Sequence, residues 1–179
     1  MAIVVEDGSG VTGAEAWADL TAHDAWAVKF HGTASDKAEA VKEAAIRRAV
    51  AYLDAQPWKG SKTGARAQAL SWPRTGATDG AGSTIADDEV PNELITAQHV
   101  LTWAEIAAPG ILNPSVNMAN GKVLTEVKGI KWTTTGGEGD SIDAHRTLVM
   151  GALDTIVGLM VKDPRDVKDR DVLFLRSVG

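Results

Sequence analysis

Three stretches of the chain repeat their apolar residues at helical spacing. Between Asp36 and Gln56, Ala38, Val41, Ala45, Ala49 and Leu53 recur on one face, with Ile46 and Tyr52 widening it. Glu39, Lys42, Glu43 and Arg47 fall off that stripe, and Glu43 with Arg47 has the spacing of a helix-surface ion pair. Ser35 is placed to cap this helix and Pro57 to end it. A second helix is predicted after Val90, with Pro91 at its first position, Glu93 in its first turn and Pro109-Gly110 as its stop. Its stripe is Leu94, Ala97, Leu101, Ala104 and Ala108, flanked by Val100, Trp103 and Ala107. The third spans about Ile142 to Met160 behind Ser141, with Leu148, Val149, Ala152, Ile156 and Leu159 apolar.

A shorter helix is predicted over Ala22 to Phe30, with Thr21 as its cap, Asp24 in its first turn and His31-Gly32 closing it. Thr12 and Glu15 make a weaker capping pair, so residues 11–20 read as either helical or extended. Two runs have strand character: Ala2 to Val5, ended by the turn Glu6-Asp7-Gly8-Ser9-Gly10, and residues 122–135, "KVLTEVKGIKWTTT". Residues 58–90 show no sustained period and exceed the usual length of a connection in a compact domain. The expected fold is mainly α: a small helical bundle with long loops, a short strand or hairpin segment and an extended C-terminal arm. Residues 1–160 form the domain and 161–179 the arm.

Composition narrows the function. The 179 residues include 24 acidic and 18 basic side chains, a formal net charge of −6, with the basic residues mixed among acids. A wide phosphate-binding footprint normally needs a basic excess or a basic face. With no cysteine, thiol catalysis, disulfides and thiolate-bound metal are excluded. The N-terminus lacks the pattern of a signal peptide, and no run reaches the roughly 18 apolar residues of a membrane span. A cytoplasm, or a particle assembled in one, is the expected setting.

Catalytic patterns do not assemble. His23, His31, His99 and His145 sit on separate predicted elements without ligand spacing, and Asp87-Asp88-Glu89 reads as an acidic approach to a helix rather than a magnesium site. "GSKTGA" lacks P-loop spacing and "GGEGD" lacks dinucleotide-binding order. A hydrolase using Asp87 and His99 is kept only as a placeholder. No enzyme activity, cofactor or metal is expected. The six tryptophans are the remaining candidates. Trp58 and Trp72, mixed with Lys59, Lys62, Arg66 and Arg74, offer either a stacking platform for single-stranded nucleic acid or two pins holding the long loop to the helices. The pinning role is preferred, with Leu70 and Trp72 inward, Pro73 stiffening the exit, Gly76 releasing the chain and Arg74 facing outward.

Four segments, "VVEDGSGVTGAEAW", "RRAVAYLDAQPWKGSKT", "QALSWPRTG" and "VPNELITAQ", follow one another in an order that resembles the head–tail adaptor, or head-completion, proteins of tailed phages. Many members of that group carry the label DnaT-like single-stranded-DNA-binding protein. The resemblance covers about residues 4 to 108. It implies a helical protomer in a dodecameric ring in the virion neck, below the portal. The ring would extend the channel through which genomic DNA passes without sequence-specific contact, and offer a docking surface to neck, stopper or tail components. The label itself implies the alternative, single-stranded-DNA binding in replication. Extended loops and arms would make the contacts, so the expected interface elements are residues 59–90, 112–135 and 161–179. Trp58, Arg66, Trp72, Pro73, Arg74, Lys128, Lys131, Trp132, Leu173, Phe174 and Leu175 are the candidate structural and interface residues.

Overall fold

The computed structural model describes residues 2–79 and 81–112. The strand-like segment at 122–135, the helix at 142–160 and the arm at 161–179 lie outside the described residues, and so do His145, Lys128, Lys131, Trp132, Leu173, Phe174 and Leu175. What is described is mainly helical, with one short two-stranded antiparallel sheet.

Helix α1 spans Leu20–His31, α2 Glu39–Asp54 and α3 Asn92–Ala107. The cap of α1 is Asp19 rather than Thr21. Its carboxylate accepts the amide of Ala22 at 2.8 Å, which places Thr21 inside the first turn. Asp24 reaches across to Lys42 at 2.6 Å instead of serving the helix dipole. Gly32, at φ +79°, ends the helix in the left-handed conformation that a residue with a Cβ adopts at a cost. Ser35 does not cap α2: its hydroxyl accepts the amide of Lys37, and the helix starts after Ala38. Pro91 sits at the cap of α3, one position before the expected one.

The core lies between α2 and α3, the main packing pair. Ile46, Ala49, Val50 and Leu53 face Leu94, Ala97 and Leu101 there, and alanines let the helix axes approach closely. The buried face of α2 is rotated from the expected stripe. Val41 is 41% exposed, while Lys42 is buried with its ammonium on Asp24. On α3, Gln98, His99, Thr102 and Glu105 are buried alongside the apolar residues.

Residues 4–19 are extended and turned, not helical. Val5 bridges Ala16 in parallel, with Glu6 N–H donating to Ala16 O at 2.8 Å and Glu15 N–H to Val4 O at 2.7 Å. The side chain of Gln98 holds this segment on α3. Its Oε1 accepts the amides of Trp17 and Ala18 at 2.9 and 3.2 Å, and its Nε2 donates to Ala18 O at 2.7 Å. Three main-chain groups that no ladder reaches are thereby satisfied.

Candidate interaction surface

Residues 58–79 and 81–90 pack on the core of α2 and α3 through Trp58, Leu70, Trp72, Ala77 and Ile85. Within them β1, Ser61–Lys62, pairs antiparallel with β2, Arg74–Thr75, and a 3-10 turn covers Ala65–Ala67. Trp58 and Trp72 are both buried and meet edge to face with ring centroids 5.8 Å apart. The indole N–H of Trp58 donates to Leu53 O at 2.8 Å, which ties the start of the loop to the end of α2. Leu70 and Pro73 are buried beside them, and the Trp72–Pro73 peptide is cis. The pinning role of the two tryptophans is therefore the one their placement supports. Neither presents a face on which a base stacks.

Arg74 corrects the expected outward orientation. Its guanidinium turns inward and donates to four main-chain carbonyls: Gly60 at 2.6 Å, Lys59 at 2.7 Å, Ser71 at 3.0 Å and Trp58 at 3.3 Å. The planar fork of arginine can serve several acceptors at once, where an ammonium presents a single point. Burial lowers its proton affinity, partly offset by the charge of Asp54. Gln68 works in the same way, accepting from Gly64 N–H at 2.8 Å and donating to Leu70 O and Pro73 O, each at 2.9 Å. Of Lys59, Lys62, Arg66 and Arg74, only Arg66 is exposed.

The more open chemistry lies elsewhere, between α1 and the second half of α3. Trp26 stacks on His23 at 5.9 Å and on His99 at 5.5 Å, and Phe30 tilts against Trp26 at 5.2 Å. His31 lies flat on Trp103, with centroids 4.2 Å apart and planes within 5°. His23 and His99 form the buried end of this row, while Phe30 is 61% exposed and His31 is exposed at the other end. Lys29 places its ammonium 5.4 Å from the Phe30 ring centroid. A shallow groove of about 480 Å3 continues the surface between residues 33–37 and Trp103, Ile106 and Ala107.

Burial lowers the pKa of both inner histidines to about 4. At His23, Lys42 and His31 add to the effect and Asp24 opposes it; at His99, His23 adds and Asp19 opposes. Both rings are thus neutral near pH 7. His99 is buried within this row and Asp87 is exposed on the loop before α3, which gives the hydrolase placeholder no support. Among the described residues, no group of three or more His, Asp or Glu side chains is placed to hold a metal ion. No helix among them is long and apolar enough to cross a membrane.

Sequence patterning missed this row because its members sit on two helices. The local signals were Trp26 with Phe30 and His99 with Trp103, each four residues apart and so on one helix face. Only the packing of α1 beside α3 makes them one surface.

Comparison with known proteins adds one match. The family model described as "Putative DnaT-like ssDNA binding protein" matches residues 1–166. No curated protein and no solved structure matches the chain.

Proposed function

The chain belongs to the DnaT-like family, and we propose, from its residues and their pairing rather than from the family's description, that it is a structural, non-catalytic assembly protein. In this reading it is a ring-forming adaptor between the portal and the neck or tail components of a tailed phage, and its ring extends the channel for genomic DNA. The observation that supports this reading is how four of the nine lysines and arginines among the described residues are held. Lys42 and Arg48 are bound to Asp24 and Glu105, each at 2.6 Å, Arg47 to Glu15 at 3.1 Å, and Arg74 to main-chain carbonyls. The net charge is −6. A channel wall along which DNA slides is served by such a surface, because attraction to phosphates slows passage. A DNA-holding groove is not.

The family's description favours a second reading, single-stranded-DNA binding, over the first. That reading needs a stacking platform. With Trp58 and Trp72 buried, the remaining candidates are Phe30, His31 and Trp103, with Lys29 beside them.

Light scattering on the full chain, alone and mixed with a portal protein, tests the first reading. A species of ring mass supports it, and a monomer under both conditions removes it. A salt titration of oligothymidylate binding tests the second.

A further inference from the structure

Helix α1 turns an apolar flank away from the rest of the described protein. Of its twelve residues only His23 and Ala27 are buried, while Val28 is 54% and Phe30 61% exposed. The flank passes through His31 onto Trp103, near the C-terminal end of α3, and into the groove beside Ile106. Two exposed lysines border it. Lys29 holds its ammonium 5.4 Å from the Phe30 ring centroid, and Lys37 stands in the groove wall. Asp36 is in the same wall, so the border is cationic at two points and not throughout. The other end of α3, about 24 Å away at the rise of an α-helix, has the opposite character. Asp87, Asp88 and Glu89 lead into the helix and Glu93 lies in its first turn, all of them exposed. Gly8 packs on the main-chain carbonyl of Asp88, which brings exposed Asp7 alongside. None of these five carboxylates, and neither lysine, forms an ion pair among the described residues. Acids in a first turn favour the helix dipole, but an unpaired group of this size repels itself until a cation meets it.

We infer that the α1 flank is a docking surface for a second copy of this chain, which presents its acidic 87–93 end to it. The two faces are complementary in charge. Ala86, exposed, and Val90, half-buried, place apolar surface among the acids for Val28 and Phe30 to cover. The faces lie at opposite ends of α3, so they cannot meet within one chain. The contact joins unlike surfaces, and repeating such a contact either closes a ring or runs on as a filament. This inference rests on the ring reading above and names the two faces that build the ring. A nucleic acid could use the same two lysines, but it would leave the acidic end unpaired.

Charge reversal in the full chain tests the contact. Lys29→Glu with Lys37→Glu, and separately Asp88→Lys with Glu89→Lys, should each raise the concentration needed for self-association at least tenfold by light scattering. All four changes together should restore it to within threefold of wild type. The four side chains are exposed, so their replacement leaves the described core intact. Because the chain has no cysteine, the contact can also be trapped. Phe30→Cys protein is mixed with Asp88→Cys protein and a short bismaleimide. A mixed crosslinked dimer, formed at least tenfold faster than either protein crosslinks to itself, is the expected result. Faster self-crosslinking of Phe30→Cys overturns the inference in favour of a two-fold dimer. Rings that assemble equally well in both charge variants, with no mixed crosslink, overturn it and leave the ring reading standing. Open oligomers that give the mixed crosslink but never close retain it and remove the ring reading. A monomer that gives no crosslink removes both. Protection of the Phe30→Cys thiol that appears only with oligothymidylate overturns the inference in favour of a stacked nucleic acid.

Discussion

The guanidinium of Arg74 donates to the main-chain carbonyl of Gly60 at 2.6 Å, across the base of the two-stranded sheet. That contact, with three more to Trp58, Lys59 and Ser71, makes Arg74 the internal clamp of residues 58–90. Arg74→Ala leaves several buried carbonyls without a donor and is expected to destabilise the fold by about 2–4 kcal/mol. Arg74→Lys should recover less than half of that, because one ammonium cannot reproduce the fork. Urea denaturation of the three proteins checks both statements. Equal stability of wild type and Arg74→Ala would return the side chain to the surface role the sequence suggests.

Gly60 is the other half of the clamp. It has φ +72°, and a Cβ there would lie 2.3 Å from the carbonyl oxygen of Thr75. Gly76 has the same φ, +72°, with nothing within 4 Å of its Cβ position. Gly76→Ala should therefore cost only the backbone term, about 1 kcal/mol, and Gly60→Ala upwards of about 3 kcal/mol. Thermal unfolding of the pair separates steric contact from conformational preference.

Acid should loosen the α1–α3 contact before it affects the carboxylates. His23 and His99 titrate near 4 in the folded protein because burial disfavours their charged forms, against about 6.5 in the unfolded chain. Between those values the unfolded chain binds more protons, so stability is full above about pH 6.5 and is lost as the pH falls towards 4. The loss has an upper bound of roughly 3 kcal/mol per histidine. Replacing both histidines with glutamine should flatten the urea midpoint across that window, whatever it does to stability at pH 7.5. A wild-type midpoint constant from pH 7 to 4.5 would contradict the placement of the two rings.

Much of this fold is legible from patterning and some of it is not, for identifiable reasons. Helices α2 and α3 follow from the apolar repeats, whereas α1 follows from its polar start and from the glycine after His31. Their caps do not, because several polar residues precede each helix and only the chain path decides which one meets a free amide. That is why Asp19, not Thr21, serves α1. Hydropathy also sends Gln98, Thr102 and Glu105 to solvent. They are buried because each has a specific partner: the main chain at Trp17 and Ala18, the Gln98 carbonyl at 2.7 Å, and Arg48 at 2.6 Å. The loop at 58–90 lacks periodicity because side-chain-to-carbonyl bonds from Arg74 and Gln68 organise it. Such bonds leave no repeat in a sequence. The tryptophan pair within it was readable as a pin, while the aromatic row of α1 and α3 needed the third dimension.

Nucleic-acid affinity is predicted to be weak. Fluorescence anisotropy of labelled oligothymidylate should show no saturable binding by the full chain at micromolar concentration and 150 mM salt. Trp58→Ala and Trp72→Ala are expected to lower stability by about 3–5 kcal/mol as core truncations, not to act through a lost stacking face. Tight binding that weakens steeply with salt and falls on Phe30→Ala, with the fold retained, would support the single-stranded-DNA reading instead.

The central claim is assembly, and electron microscopy of the full chain mixed with portal protein tests it most directly. The account predicts closed rings of this protein seated coaxially on the portal, with an open central channel. Portal particles without added density, alongside free monomer at concentrations well above micromolar, would contradict it.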